Sequence, residues 1–355
     1  MPPFIRFLVK RFLSIPISLV LITMVLYGGA MLTPPEARAE LYMPAPGHQT
    51  EEQRKHMVQL TIVKYHLRDP FPIQYAIWVK TLLYGSWGYS PVLHEDVLPA
   101  LLRRTPATAE LALYSLVLFI PLGLLAGVIA GWHQRKAIDE AFRVSAFMAT
   151  SFPPFILAII LIAVFYVSLG WFAPSRLNSA LSLGFASQGF VPYTGLYTLD
   201  GLLNGRLDVT LDAFRHLVMP VVTLSLFHWA TLGRITRSTI ITERTKDYII
   251  SARARGVSES RIIWKHALRN VLAPSFTSLA LSAASLVTGV FVVEIIFNYY
   301  GISSVMVSAM QQVPDTAAAL GFSIYSVVIV LLLMLVLDVT LAIIDPRIRQ
   351  EILRT

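Results

Sequence analysis

The chain has 355 residues, 55% hydrophobic and 14% charged, with a mean hydropathy of +0.63 and a formal net charge of +8. A water-soluble protein of this length needs far more polar surface, so the chain crosses a membrane several times. It contains no cysteine, which excludes disulfides, thiol nucleophiles and Cys-based metal sites.

Arg6, Lys10 and Arg11 precede an apolar run at 12–32. This start imitates a secretory signal. The run is about 20 residues long and has no small-residue exit, which reads as a retained first span. Residues 33–99 mix prolines, charges and amphipathic pieces such as 51–66, and read as a small helical extracytoplasmic segment. Further runs lie at 107–131, 142–171, 214–233, 271–295 and 321–344, and each meets the requirement of about 20 residues per crossing. The run 142–171 is overlong and holds Pro153-Pro154, predicting a kink or a break. Pro220 lies within 214–233, and Pro274 opens 271–295. Residues 172–213 are rich in Gly, Ser and Asn with few charges, and read as a long external loop, open to short β or re-entrant pieces.

The predicted fold is an all-α membrane protein with six transmembrane helices. Its parts are an N-terminal helix in 1–32, the segment 33–99, a five-helix core in 100–345 and a tail at 346–355. The core carries the external loop 172–213 and a basic loop at 234–270. Six spans put both termini on one side, and on that side fall eighteen of the 29 Lys and Arg residues. The positive-inside bias therefore makes both termini cytoplasmic, and the net charge speaks for orientation, not for nucleic acid.

The most informative stretch is Asp247 to Pro274, DYIISARARGVSESRIIWKHALRNVLAP. It is polar and basic, yet Tyr248, Ile249 and Ala252, then Ile262, Ile263 and Leu268, recur at helical spacing. The pattern predicts two short amphipathic helices meeting near Gly256, a folded knob on the inner face. Small Ser251, Ala252 and Ala254 suit close packing in a partner groove, and Gly256 suits a left-handed bend.

Ionisable residues within spans are costly and are functional candidates. Glu110 lies near the outer end of the second span and Glu294 ends the fifth. Each fits a hydrogen-bonding role between helices, or a place on an outer gate or translocation path. Asp338, near the inner end of the sixth span, suits pairing with an Arg of the basic loop or tail. His228, within the fourth span, reads as a hydrogen-bonded core histidine. No G-x-x-x-x-G-K-[ST] loop, H-E-x-x-H or G-x-S-x-G motif occurs, and His94 with Asp96 gives too few ligands for a metal. No catalytic, cofactor-binding or metal site is expected.

At Ser251-Ala252-Arg253-Ala254-Arg255-Gly256, followed by His266-Ala267-Leu268-Arg269-Asn270 and Pro274, the chain resembles an ABC-transporter permease. The subfamily is that of dipeptide, oligopeptide and nickel importers. FIRFLVKRFLSIPISLVLIT, LRRTPATAEL, EIIFNYYG and DPRIR are similar to further family segments, in order and over nearly the whole chain. The resemblance implies a type I importer permease whose basic loop couples to an ATPase through Tyr248, Ser251, Ala252, Arg253, Ala254, Arg255, Gly256, His266, Arg269 and Asn270. It implies a second homologous permease, two cytoplasmic ATPase subunits that bind the Mg-ATP, and an extracytoplasmic binding protein, all at the inner membrane. Peptide is the implied cargo, with nickel chelates or oligosaccharides as alternatives.

The chain departs from the family pattern in places. Ile250 stands where the general EAA-x-x-x-G pattern has Glu, Tyr300-Gly301 where Pro-Gly is usual, and Val313-Pro314-Asp315 where Asp-Tyr-Pro is usual. A stand-alone secondary transporter or channel is the rival reading, and it predicts an intramembrane charge relay or inverted repeat, neither of which is visible here.

Overall fold

The computed structural model describes residues 3–43, 50–185, 189–311 and 315–344, and they are mostly helical. The tail at 346–355 and Val313-Pro314 lie outside the described residues. The first part of the chain holds α1 (Pro3–Ala30), α2 (Pro35–Ala39) with a 3₁₀ turn at Glu40–Tyr42, α3 (Glu51–Lys64) and α4 (Phe71–Leu83). A short antiparallel hairpin of β1 (Tyr89–Ser90) and β2 (Glu95–Asp96) leads into α5 (Val97–Trp132). Next come α6 (Ala137–Ser151) and α7 (Pro154–Leu161), the latter continued by a π-helical turn at Ile162–Ser168. The short α8 (Ser179–Leu183) and α9 (Tyr197–Leu203) precede the long α10 (Leu207–Glu243). Beyond it lie α11 (Asp247–Ala254), α12 (Glu259–Arg261), a π-helical turn at Ile262–Ala267, α13 (Leu268–Ile296), α14 (Ser303–Gln311) and α15 (Thr316–Ile344).

Among the described residues four helices are long and apolar enough to cross a membrane: Val9–Ala30, Val97–Trp132, Leu207–Glu243 and Thr316–Thr340. Ala137–Ser151 with Pro154–Ser168 makes a fifth if the two count as one span, bent by 93°. The bend falls at Pro153-Pro154, where the missing N–H and the restricted preceding residue end α6. The sixth run, 271–295, lies on α13, a helix of 29 residues.

Several element bounds differ from the sequence expectation. The second span starts at Val97 and not at 107, because its polar first turns are satisfied locally. Arg103 and Arg104 both reach Glu95, at 2.5 and 3.2 Å, and Thr105 bonds Tyr325 at 2.6 Å. Pro274 lies inside α13 and does not open it. The loop expected at 172–213 ends at Arg206 and holds the helices α8 and α9, with no strand among its described residues. The described residues of 33–99 hold α2, the 3₁₀ turn, α3, α4 and the hairpin of β1 and β2, and α3 begins with a capping box between Thr50 and Gln53.

The chain divides into two compact units. One comprises residues 107–299 with the described ends 3–8 and 333–344; the other comprises 9–106 and 300–332. In the first, α10 is central and packs on α6, α7, α9 and α13. Its core joins Leu111, Phe119, Leu217, Leu224, Leu232, Leu286 and Phe297. The sequence G123-LLA-G127-VIA-G131 of α5 lies along α10. A Cβ on Gly127 would sit 2.5 Å from the Gly233 carbonyl oxygen and 2.6 Å from Thr236 Cβ. Bare backbone at this face lets the two helices approach, which is how packing is gained where lipid removes the hydrophobic drive. In the second unit, Tyr27 stacks on Trp78 at 4.6 Å, and Ile324 closes the cluster. Asp315 accepts from Ser90 at 2.5 Å and from the Ala318 N–H at 2.9 Å. Large apolar side chains on the outer surfaces, such as Val25, Phe147, Val167 and Val336, are exposed as a lipid solvent requires.

Candidate functional site

The basic loop is a built structure. After α10, residues Arg244–Lys246 turn the chain into α11, which ends at Gly256 with φ +76°. There the Gly256 N–H donates to the Arg253 carbonyl at 3.0 Å, and the Val257 N–H donates to the Ala252 carbonyl at 3.2 Å. This pair of bonds is a Schellman termination, and the left-handed residue it requires is the glycine expected there. The second helix is not separate. Its single turn α12 runs through the π-helical turn into α13, so the knob is one short helix leaning on the root of a long one.

Ile249, Ala252, Ile262 and Ala267 are fully buried against Val128, Ile240 and Val271. Ala252 therefore packs inward. Of the three small residues singled out in sequence, only Ser251 and Ala254 lie on the outer surface, beside exposed Ile250, Arg253 and Arg255. Arg253 binds Glu259 across the bend, Nε to Oε1 at 2.5 Å and Nη2 to Oε2 at 3.1 Å. The guanidinium holds the Glu259 carboxyl below its ordinary pKa. Arg269 is exposed and His266 half-buried. Tyr248 and Asn270 are half-buried, and both donate to Glu243, which lies at the end of α10. Burial first, and then this bond, push the Tyr248 phenol up to about 12. Arg244 fixes the same corner to α5, donating to the Gly131 carbonyl at 3.2 Å and lying 5.7 Å from the Trp132 ring.

A second polar cluster lies at the other end of this unit. Glu110, fully buried, accepts from the Thr198 N–H at 2.9 Å and hydroxyl at 2.7 Å, and from Tyr299 at 3.3 Å. Arg176 completes the shell from Nε at 3.1 Å and Nη2 at 2.7 Å, with its guanidinium carbon 4.1 Å from the centre of the Tyr197 ring. Burial alone would lower the Arg176 pKa, but the adjacent carboxylate raises it above its ordinary value. Glu294 is also buried, and Thr108 donates to it at 2.5 Å. Asp200 organises the loop itself, accepting from Thr194 and the Gly195 N–H at 2.8 Å each. The two glutamates thus lie on neighbouring helices of one core, within a shell of bonds that the sequence does not announce. Arg176 was legible in principle, being the only cation between 172 and 205.

His228 is buried between Phe119 and Phe227, with ring centroids 5.3 and 5.5 Å away. Its Nδ1 has no hydrogen-bond partner among the described residues, unlike the bonded core histidine expected. Asp338 is half-buried in α15.

Residues 123–350 match the family described as "Binding-protein-dependent transport system inner membrane component". The chain is similar to the di/tripeptide transport system permease protein DppB of Pseudomonas aeruginosa, 33% identical over 80% of this chain and 83% of that one. It is similar to the oligopeptide transport system permease protein AppB of Bacillus subtilis, 33% identical over 81% and 83%. The dipeptide transport system permease protein DppB of Bacillus subtilis is 29% identical over 97% of this chain and 98% of that one. The polar knob at the root of α13, the long apolar helices and this match agree: the chain belongs to the family of inner membrane components of binding-protein-dependent transport systems, as a multi-pass permease subunit and not a catalytic protein.

Proposed function

We propose that this chain is a permease subunit of an ATP-driven importer of di- and oligopeptides, and that the loop 244–270 is where an ATPase subunit drives it. The observation that carries the reading is the outward surface of α11. It is exposed and basic, while its inner face is fused to α5, α10 and α13 through Ile249, Ala252 and Ile262. A push on α11 thus moves the long helices, which a slack lipid-binding loop would not do. Peptide as cargo is supported by the similarity to permeases named for di-, tri- and oligopeptide transport.

In this reading six helices cross the bilayer, with α13 as one of them and both termini in the cytoplasm. The basic side chains Arg6, Lys10 and Arg11 in the first part of α1 and those along 244–270 support that orientation. A second permease completes the pathway, two ATPases bind Mg-ATP below, and a binding protein delivers peptide above. ATP closes the ATPase pair and opens the pathway outward, and hydrolysis returns it inward. Glu110 and Glu294 hold the outer end of the pathway by hydrogen bonds. The test is uptake of a labelled dipeptide by proteoliposomes holding this chain with its co-encoded permease, ATPases and binding protein. Uptake is expected to require ATP, the binding protein and this chain together. Uptake driven by an ion gradient without ATP would overturn the reading.

A further inference from the structure

Glu243 sits at the corner where α10 gives way to α11, and only 5% of its surface is exposed. Three donors from separate places converge on its carboxylate. Tyr248 of α11 donates its hydroxyl to Oε2 at 2.5 Å, Asn270 of α13 donates Nδ2 to the same oxygen at 3.4 Å, and Lys246 Nζ lies 2.6 Å from Oε1. A buried carboxylate is costly unless such donors surround it. These can all reach it only in one orientation of α11 and the α13 root relative to α10. The apolar contacts of Ile249 and Ala252 are non-directional and would let α11 roll or slide. Hydrogen bonds to a charged group are directional and prevent it.

We infer that Glu243 is a positioning residue that fixes α11 in register with both α10 and α13, so that force on α11 reaches the two long helices instead of being absorbed in the turn Arg244–Lys246. Tyr248 and Asn270 then act through Glu243, from inside the knob, while the outer surface of Ile250, Ser251, Arg253, Ala254 and Arg255 meets the partner. The inference rests on the proposed coupling role of this loop.

The test uses the whole reconstituted transporter and reads peptide transported per ATP hydrolysed, which normalises for the amount of complex assembled. Tyr248→Phe is expected to lower this ratio by about tenfold, the weight of one hydrogen bond to a buried charge, and Glu243→Ala, which removes all three contacts, by at least as much. The double variant should be no worse than Glu243→Ala alone, because both remove the same interaction. Glu243→Gln, whose amide oxygen still accepts from Tyr248, should fall between. An unchanged ratio in Glu243→Ala, or losses that multiply in the double variant, would overturn the inference. If Glu243→Ala fails to assemble, Tyr248→Phe and Glu243→Gln probe the same interaction, and unchanged ratios in both would overturn it equally. Arg255→Glu on the outer surface separates the two levels. A normal ratio there removes the coupling role itself, whereas a lowered ratio there with a normal one in Glu243→Ala removes only the bracing role.

Discussion

Arg176 and Glu110 are 66 positions apart and meet in a two-bond approach at 3.1 and 2.7 Å, with the carboxylate fully buried. The pair ties the segment carrying α8 and α9 to α5, and Thr198 and Tyr299 add bonds from α9 and from beyond the end of α13. Removing one partner of a buried pair leaves an uncompensated charge, a cost of about 3–5 kcal/mol. Arg176→Gln is therefore expected to loosen residues 172–206, seen as faster proteolysis there and a lower melting temperature in detergent. Glu110→Gln combined with Arg176→Gln should be milder than Arg176→Gln alone. A double variant that is the worse of the two would show that the charge pair is not what holds the segment.

Glu294 accepts from Thr108 at 2.5 Å inside the same core. If its role is to hold helices by hydrogen bonds, Glu294→Gln retains shape and polarity, and uptake should fall only about twofold, within the weight of a neutral bond. Glu294→Leu should reduce uptake about tenfold or more by stranding its buried partners. Equal damage from the two substitutions would assign the function to the charge.

The close approach of α5 and α10 is tested at Gly127. A Cβ there would lie 2.5 Å from the Gly233 carbonyl oxygen and 2.6 Å from Thr236 Cβ, and backbone on one side has no room to yield. Gly127→Val is expected to separate the helices and lower stability by about 2–3 kcal/mol, in the range of overpacked cores. The check is the melting temperature in detergent beside Gly29→Val, a site with nothing within 4 Å of the added Cβ. Equal melting temperatures would contradict the helix contact.

Much of this was legible in the sequence where the cause is local. Pro153-Pro154 dictates the break between α6 and α7, and Gly256 dictates the left-handed end of α11, because both act through the residue's own backbone. The inward face of the knob followed from periodicity, except that Ala252 shares it with Ile249 one turn earlier and so was not available to a partner. Long-range partners were not legible. Nothing near Glu110 in sequence points to Arg176, and nothing in the sequence places Tyr248 and Asn270 on Glu243. The repeated small-xxx-small spacing at Gly123, Gly127 and Gly131 was a readable signal for the α5–α10 contact. The start of α5 at Val97 was hidden because Arg103 and Arg104 look like a loop until Glu95 is seen to neutralise them.

Gly256 has φ +76° with nothing within 4 Å of an added Cβ, so substitutions there cost backbone strain alone. A residue with a Cβ loses about 1–2 kcal/mol in this conformation, a β-branched one more. Gly256→Val is expected to uncouple hydrolysis from uptake while the chain still inserts, Gly256→Ala to do so partially, and Gly256→Asn least of all. Normal uptake with Gly256→Val would deny the bend a part in coupling.

Contact between the outer surface of α11 and an ATPase on the cytoplasmic side is open to direct measurement by crosslinking. The chain has no native cysteine, so a single one at Ile250, 53% exposed on that surface, can carry a maleimide-linked photo-crosslinker in the assembled transporter. A cysteine at Gln53 in α3, expected to face the opposite side, serves as the comparison. The predicted result is a covalent adduct between Ile250→Cys and an ATPase subunit, with none from Gln53→Cys. An adduct from Gln53→Cys, or none from Ile250→Cys in a transporter that still moves peptide, would contradict a coupling role for α11.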